Sequence, residues 1–289
     1  MHVRLIREQP CDGRSGPLHG MFLLQYAILK HAPAWLHVGG HLRPCETPWF
    51  WHWENGPDAA TFAARGEPVI IGPNILFENS RIPKRISAER AICDGRGPML
   101  LVTESDWYDS LIRRNLCGRT QAAVTTWPYP VDLTPFAATP IEHELLIYMK
   151  SGIGDVQAAL EPLRREFQHV REIHYGHYRR ADLVDAAARS RVCFYVSDDD
   201  RGPLALAEIL SMGCPCVGVS RGAPWIEHGR NGFYCGSLTS SCVIDCLRKA
   251  ANLERDAIAR AAREKFDADR IAAYALSVID TFRGSLDRT

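Results

Sequence analysis

Short apolar runs alternate along this chain with longer stretches whose apolar residues recur at helical spacing. In the first half, Val3-Arg-Leu-Ile reads as a strand. Leu36-His-Val-Gly-Gly, Val69-Ile-Ile-Gly and Met99-Leu-Leu-Val-Thr are runs suited to buried strands. A strongly apolar helix is expected from about Leu18 to Lys30, a second from Trp107 to Asn115, and a strand from Gln121 to Thr125. The second half is sharper. Leu145-Leu-Ile-Tyr-Met, Val170 to His174, Val192-Cys-Phe-Tyr-Val and Cys216-Val-Gly-Val read as strands, with a helix from Ala181 to Ser190 between the second and third. Val156, Leu160, Leu163 and Phe167 fall at helical spacing, and Pro162 among them is expected to kink or split that helix. A helix from Pro203 to Met212 carries proline in its first turn and Gly213 past its end. Helices follow to the C-terminus, the last with Ile271, Tyr274, Ala275, Val278 and Phe282 along one face.

Strands alternating with helices predict α/β architecture with parallel sheets and crossover helices. The segment Trp127-Pro-Tyr-Pro-Val-Asp-Leu-Thr-Pro interrupts the alternation with three prolines, which remove backbone donors and mark a linker. The expected division is therefore residues 1–139 and 140–289, with the last helix a candidate to pack back on the first domain.

At 289 residues the chain can bury a core without staples. Its 34 Lys+Arg balance 34 Asp+Glu, which argues against a protein that depends on bulk attraction to phosphate. Ten cysteines include no CxxC pair, and Cys193, Cys214 and Cys216 lie in apolar strand-like runs, so reduced thiols are expected. The opening Met1-His-Val-Arg-Leu-Ile-Arg-Glu has charges where a signal peptide has its apolar stretch, and a cytoplasmic location is expected.

The segment from Val196 to Gly222 concentrates the candidate chemistry. A strand ends near Ser197, a loop carries Asp198, Asp199, Asp200 and Gly202, and a helix begins at Pro203. Backbone N–H groups and the positive dipole end gather at that helix start, a ready site for a diphosphate. Glu208 lies in the second turn among Leu204, Leu206, Ile209 and Leu210, where a carboxylate is costly unless exposed or partnered. Ribose hydroxyls would be suitable partners. The plainer alternatives are an acidic cap on a solvated loop and a partly exposed helix glutamate.

Asp200-x7-Glu208 followed by Met212-Gly-Cys-Pro-Cys-Val resembles the Glu-x7-Glu signature of retaining glycosyltransferases of family 4, which have the GT-B fold. Gly222-Ala-Pro-Trp-Ile-Glu-His-Gly-Arg-Asn-Gly-Phe is similar to that family's loop after the next strand, and Trp127-Pro-Tyr-Pro-Val-Asp132 to the stretch closing its N-terminal domain. The resemblance implies a GT-B fold, two Rossmann-like domains with parallel sheets facing across a cleft that holds a nucleotide-sugar. It implies that Glu208 binds ribose, that Asp200 contacts the donor sugar, and that Gly202, Pro203 and Leu204 line the sugar and diphosphate. Lys150, at the end of the second domain's first strand, resembles the family's basic residue that neutralises the diphosphate. Its alternative is a snorkelling lysine at a strand end. The chain departs from the pattern in having aspartate as the first acid, one methylene shorter. It also has Trp225 where the family usually has a carboxylate, and a short N-terminal half.

Other candidates stand outside that signature. Gly13 and Gly16, in the loop Gly13-Arg-Ser-Gly-Pro, resemble the family's glycine-rich loop near the diphosphate, although a plain connection reads nearly as well. Asn74 at a strand end, Trp51 in Trp49-Phe-Trp-His-Trp53 and Arg81 in a small basic loop with Lys84 and Arg85 are acceptor-side candidates. Burial between layers is the stronger reading of the tryptophans. No histidine pair shows metal spacing, and GxSxG and P-loop motifs are absent. The reading is a metal-independent retaining glycosyltransferase of hexosyltransferase type, with no cofactor beyond its nucleotide-sugar substrate. Its alternatives are another GT-B enzyme such as a nucleotide-sugar epimerase, or a non-catalytic nucleotide-sugar-binding protein. The acceptor is open. Zero net charge weighs against nucleic acid or a membrane, with the Arg81–Arg85 loop pulling the other way.

Overall fold

The structure is a computed structural model that describes residues 1–6, 16–52, 55–74, 91–115, 122–133, 139–150 and 156–288. The chain forms two compact units. One comprises Met1–Pro130 together with Ala268–Thr289, the other Val131–Asp267. Among the described residues no helix is long and apolar enough to cross a membrane.

The first unit is built on six strands, β1 His2–Leu5, β2 Leu36–Val38, β3 Glu46–His52, β4 Val69–Asn74, β5 Met99–Thr103 and β6 Ala122–Thr126. They pair in the order β2-β1-β3-β4-β5-β6, every pair parallel. Helices Gly16–Lys30, Gly56–Arg65, Asp106–Asn115 and Ala268–Leu286 accompany the sheet. The first and last of these pack on each other, with Lys30 Nζ 2.7 Å from Asp269 Oδ2. Phe50, Ile71 and Leu101 join Ala59, Ala63, Tyr108 and Ile112 in one buried layer. Two elements here are not among the expected ones. β3 contains Pro48 and Glu46, and Gly56–Arg65 is a short helix rich in alanine.

The second unit has five strands, β7 His143–Met149, β8 Val170–His174, β9 Ser190–Val196, β10 Cys216–Gly218 and β11 Gly232–Tyr234, in the order β11-β10-β9-β7-β8, again all parallel. Helices Val156–Glu166, Arg180–Arg189, Leu204–Ser211, Ser240–Ala250 and Arg255–Lys265 complete it. Alternation along β7 decides the layering. Leu146 and Tyr148 enter a core with Leu206, Ile209 and Phe266, while Leu145 and Ile147 enter a second core with Leu160, Leu163 and Val243. A strand covered on both faces must be apolar throughout, which is why these runs were legible.

Of the expected kink or split at Pro162, the split does not occur, since Val156–Glu166 is one helix with the proline inside it. Apolar anchoring outweighs the lost backbone bond: Val156, Leu160 and Leu163 are all buried, and both turns flanking the proline are fixed by packing. Helix Leu204–Ser211 ends as expected, with Gly213 at φ 70°. A Cβ there would also approach the Arg255 carbonyl oxygen to 2.6 Å.

Strand order fixes where ligands can be met. β7 is flanked by β8 on one side and β9 on the other, so the chain reverses its direction of winding between β7 and β9. In open parallel sheets that reversal opens a crevice at the carboxyl ends of the two strands. Lys150 follows β7, and the Ser197–Gly202 loop follows β9.

Candidate functional site

Two residues fifty positions apart meet at that strand edge. The backbone N–H of Lys150 donates to the Val196 carbonyl at 2.9 Å, so β7 and β9 stay paired to their last residues. Lys150 Nζ then donates to Asp200 Oδ2 at 2.5 Å. The same oxygen accepts the Tyr195 hydroxyl at 3.0 Å. Asp200 is 5% exposed, while the Lys150 side chain is 27% exposed. The ammonium therefore has its carboxylate partner on the protein side and its open side toward solvent. Tyr175 covers part of that open side, its ring centroid 5.7 Å from Nζ, a cation–π distance. The acidic-cap reading of Asp200 does not hold, because its carboxylate turns inward to Lys150 and Tyr195.

Burial dominates the electrostatics. It pushes the Asp200 carboxyl above the usual carboxylate range, against the opposing pull of Lys150 and Tyr195. Tyr195 and Tyr148 are pushed far up by burial, and their rings stack with centroids 5.0 Å apart. Both phenols stay neutral, and Tyr195 donates to Asp200. Tyr148 and Tyr178 share a hydrogen bond of 3.0 Å, and Tyr178 feels the charge of Glu208. A tyrosine layer thus joins the Lys150–Asp200 pair to the second carboxylate.

Glu208 has a partner that was not foreseen. Its Oε1 accepts from Arg180 Nε at 2.5 Å. Arg180 also reaches Asp132, through Oδ2 at 3.2 Å and through the backbone carbonyl. Glu208 is 12% exposed at its side chain, and burial raises its carboxyl above the usual range, with Arg180 opposing. The cost of a carboxylate among leucines is met by a guanidinium rather than by exposure. One signal for Arg180 was present in the sequence. It is the first residue of its helix, where a cation faces the positive dipole end and needs an anionic partner.

The helix carrying Glu208 begins at Leu204 with Pro203 as its N-cap, and Pro203 itself makes no side-chain cap bond. Leu204 N–H donates to the Gly202 carbonyl at 2.9 Å. This helix start follows the loop that holds Asp200, so the positive end of its dipole and the Lys150 ammonium lie on one strand edge. The loop is fixed from the β10 side, where Asp200 N–H donates to Arg221 O at 3.0 Å. Gly222 is the hinge of that arrangement, since a Cβ there would lie 1.6 Å from the Ser197 carbonyl oxygen. Gly222→Ala is therefore expected to cost about 3 kcal/mol in urea denaturation, because backbone must move to admit the methyl. Unchanged stability would contradict the packing of this loop.

The other sequence candidates are placed as follows. Trp51 is buried beside Trp49, ring centroids 5.6 Å apart and edge-on, and Trp49 donates its indole N–H to Gly72 O at 2.9 Å. Trp51 thus offers no exposed face for stacking. Asn74 is the last residue of β4. Gly16 begins the first helix, whereas Gly13 and Arg81 lie outside the described residues. Trp225, at the family's usual carboxylate position, is buried against Phe266 with centroids 4.9 Å apart. Among the described residues no group of three or more His, Cys, Asp or Glu is arranged to hold a metal ion.

No protein-family model matches the chain, and no curated protein matches it in sequence. Solved structures do match over nearly its whole length. Sucrose-phosphate synthase from Thermosynechococcus elongatus aligns with a TM-score of 0.65 at 12% identity, covering 99% of each chain. The lipopolysaccharide outer core galactosyltransferase WaaB, in its apo form, aligns at 0.61 and 12% identity over 97% of this chain and 100% of its own. Alr3699/HepE of Anabaena, in complex with UDP-glucose, aligns at 0.54 and 11% identity, over 97% of this chain and 100% of its own. Likeness at these identities establishes architecture, and with two parallel-sheet α/β units of six and five strands the chain has the GT-B fold.

Proposed function

We propose that the protein is a glycosyltransferase that takes a sugar from a nucleotide-sugar and passes it, with retention of anomeric configuration, to an acceptor hydroxyl. The observation that carries this reading is the Lys150–Asp200 pair at the β7/β9 reversal, followed at once by a helix start and by Glu208 on that helix. Supporting it, the fold is shared with HepE, whose structure is described as a complex with UDP-glucose.

In this scheme the diphosphate lies against the Leu204 helix start and the Lys150 ammonium. Negative charge grows on the diphosphate as the bond to the sugar breaks, and a fixed cation there lowers the barrier. Asp200 holds Lys150 in place and borders the donor sugar. Glu208 receives the ribose hydroxyls, with Arg180 and Asp132 fixing its orientation. The acceptor hydroxyl attacks on the face the nucleotide leaves, and a diphosphate oxygen takes its proton. The scheme needs no protein nucleophile and gives a metal no part.

The test is incubation with a panel of nucleotide-sugars, UDP-glucose first, against a panel of hydroxyl acceptors, measuring nucleoside diphosphate released. Release that depends on the acceptor is expected. Binding without release for every pair would favour a non-catalytic binding protein. Glu208→Ala is expected to weaken donor binding about 10- to 100-fold by calorimetry, the worth of charged hydrogen bonds to ribose. Folding should be retained, because Arg180 keeps Asp132 as a partner. Unchanged affinity would count against the ribose role.

A further inference from the structure

Glu208 does not present two equivalent oxygens. Its Oε1 accepts from Arg180 Nε at 2.5 Å, whereas Oε2 accepts no hydrogen bond among the described residues. The guanidinium is itself pinned from its other end. Arg180 Nη1 donates to Asp132 Oδ2 at 3.2 Å, and Nη2 donates to the Asp132 backbone carbonyl. All three nitrogens are thus engaged, and both terminal ones turn to Asp132. Asp132 follows Val131, which is buried in the same core as Leu206 and Ile209 of the helix that carries Glu208. The three residues lie in one compact unit, Val131–Asp267.

A ribose carries two neighbouring hydroxyls, O2′ and O3′. A carboxylate with both oxygens open can receive such a pair with one hydroxyl on each oxygen. At Glu208 a charge-assisted bond already fills Oε1, and bonds of that kind are about twice as strong as neutral ones. Freeing Oε1 means turning Arg180 out of its three bonds and leaving the largely buried Glu208 without its counter-charge. A hydroxyl placed on Oε2 disturbs none of these bonds. The terminal nitrogens of Arg180 offer the second hydroxyl no substitute, since they are directed to Asp132.

We infer that Arg180 restricts Glu208 to a single ribose hydroxyl, so that the site admits a nucleoside diphosphate from which the other hydroxyl is missing. Arg180 is then a positioning residue, which selects the carboxylate oxygen that meets the nucleoside. The inference rests on the ribose role proposed for Glu208 and narrows it from two hydroxyls to one. Which hydroxyl is dispensable sets the donor class. Release of O2′ opens the site to 2′-deoxyribose donors, whereas release of O3′ keeps it to donors with an intact 2′-hydroxyl.

Isothermal titration of the full chain tests this with three ligands: UDP, 2′-deoxy-UDP and 3′-deoxy-UDP. Where guanosine or adenosine diphosphate binds more tightly than UDP, that nucleotide and its two deoxy forms take their place. One deoxy form is expected to bind within about threefold of the ribonucleotide, and the other to lose about tenfold or more, the worth of a hydrogen bond to a charged group. Loss of tenfold or more for both deoxy forms would overturn the inference and leave the ribose role of Glu208 standing. Equal binding of all three would remove Glu208 from ribose recognition, and absence of binding by every ribonucleotide would overturn the nucleotide reading itself; the inference falls in either case. In Arg180→Met the released Oε1 is expected to receive the second hydroxyl, so the tolerated deoxy form should drop about tenfold or more below the ribonucleotide. A merely structural arginine would shift all three affinities together, and unchanged ratios in Arg180→Met would overturn the role given to it. If Arg180→Met does not fold, the ratios measured on the unaltered protein decide.

Discussion

Lys150→Ala is expected to slow nucleoside diphosphate release about 10²- to 10³-fold, the usual penalty for removing a fixed charge that stabilises a leaving group. The same change should cost about 3 kcal/mol of stability at neutral pH, because it removes the ammonium paired with the buried Asp200 carboxylate, leaving a neutral hydroxyl donor from Tyr195. The two losses separate by pH. Without Lys150 the Asp200 carboxyl rises still further above its unfolded value, since Lys150 gives the larger of the pulls that lower it, ahead of Tyr195. A carboxyl whose folded value is raised imposes its cost above that folded value, and the cost fades as pH falls toward the unfolded value of about 4. The stability gap between Lys150→Ala and the unaltered protein should therefore close in acid and be widest at neutral pH. Activity should stay low throughout. A gap independent of pH would mean that Lys150 contributes packing alone.

Asp200→Asn should behave in the opposite way. Burial outweighs Lys150 and Tyr195 in setting the Asp200 carboxyl, so the charged form is held at a net cost. The amide keeps the shape and can still accept from Tyr195 and Lys150, while Lys150 remains wet enough to tolerate losing its counter-charge. At neutral pH the variant should match the unaltered protein or exceed it by about 1 kcal/mol, with the advantage vanishing toward the unfolded value of about 4. Transfer should nevertheless fall about 100-fold, because a neutral amide holds the ammonium less firmly at the diphosphate. A charge kept against stability is the mark of a working group. Loss of more than about 2 kcal/mol at neutral pH would instead make the pair a structural element.

The architecture was readable where strands are covered on both faces. Leu145–Met149 and Val192–Val196 are continuous apolar runs, and nothing else accommodates them as well as the middle of a parallel sheet. β3 escaped because Glu46, Thr47 and Pro48 open it with polar and donor-free positions, although Trp49, Phe50 and Trp51 bury both of its faces. Helix Gly56–Arg65 did carry a readable signature, Pro57 in its first turn, Gly66 at φ 74° past its end and Ala59, Ala60 and Ala63 at helical spacing on the buried face, but alanine is a weak marker of an apolar face. Lys150 and Asp200 could be singled out one at a time from strand ends. Their pairing could not, because it depends on β7 lying beside β9 across fifty residues of sequence. Arg180 was hidden for the same reason, arriving from the helix after β8 to meet Glu208 on the helix after β9. The tyrosine layer is harder still to read, since Tyr148 and Tyr195 look in sequence like ordinary strand residues.

The central claim is that Lys150, Asp200 and the Leu204 helix start together form a site for a nucleoside diphosphate. Isothermal titration of the whole protein with the diphosphates of uridine, guanosine, adenosine and thymidine tests it most directly. The account predicts saturable binding of at least one of them at one site per chain, weakened about tenfold or more in Lys150→Ala through loss of the charge contact. Absence of saturable binding by all four, or equal affinity in Lys150→Ala, would contradict it.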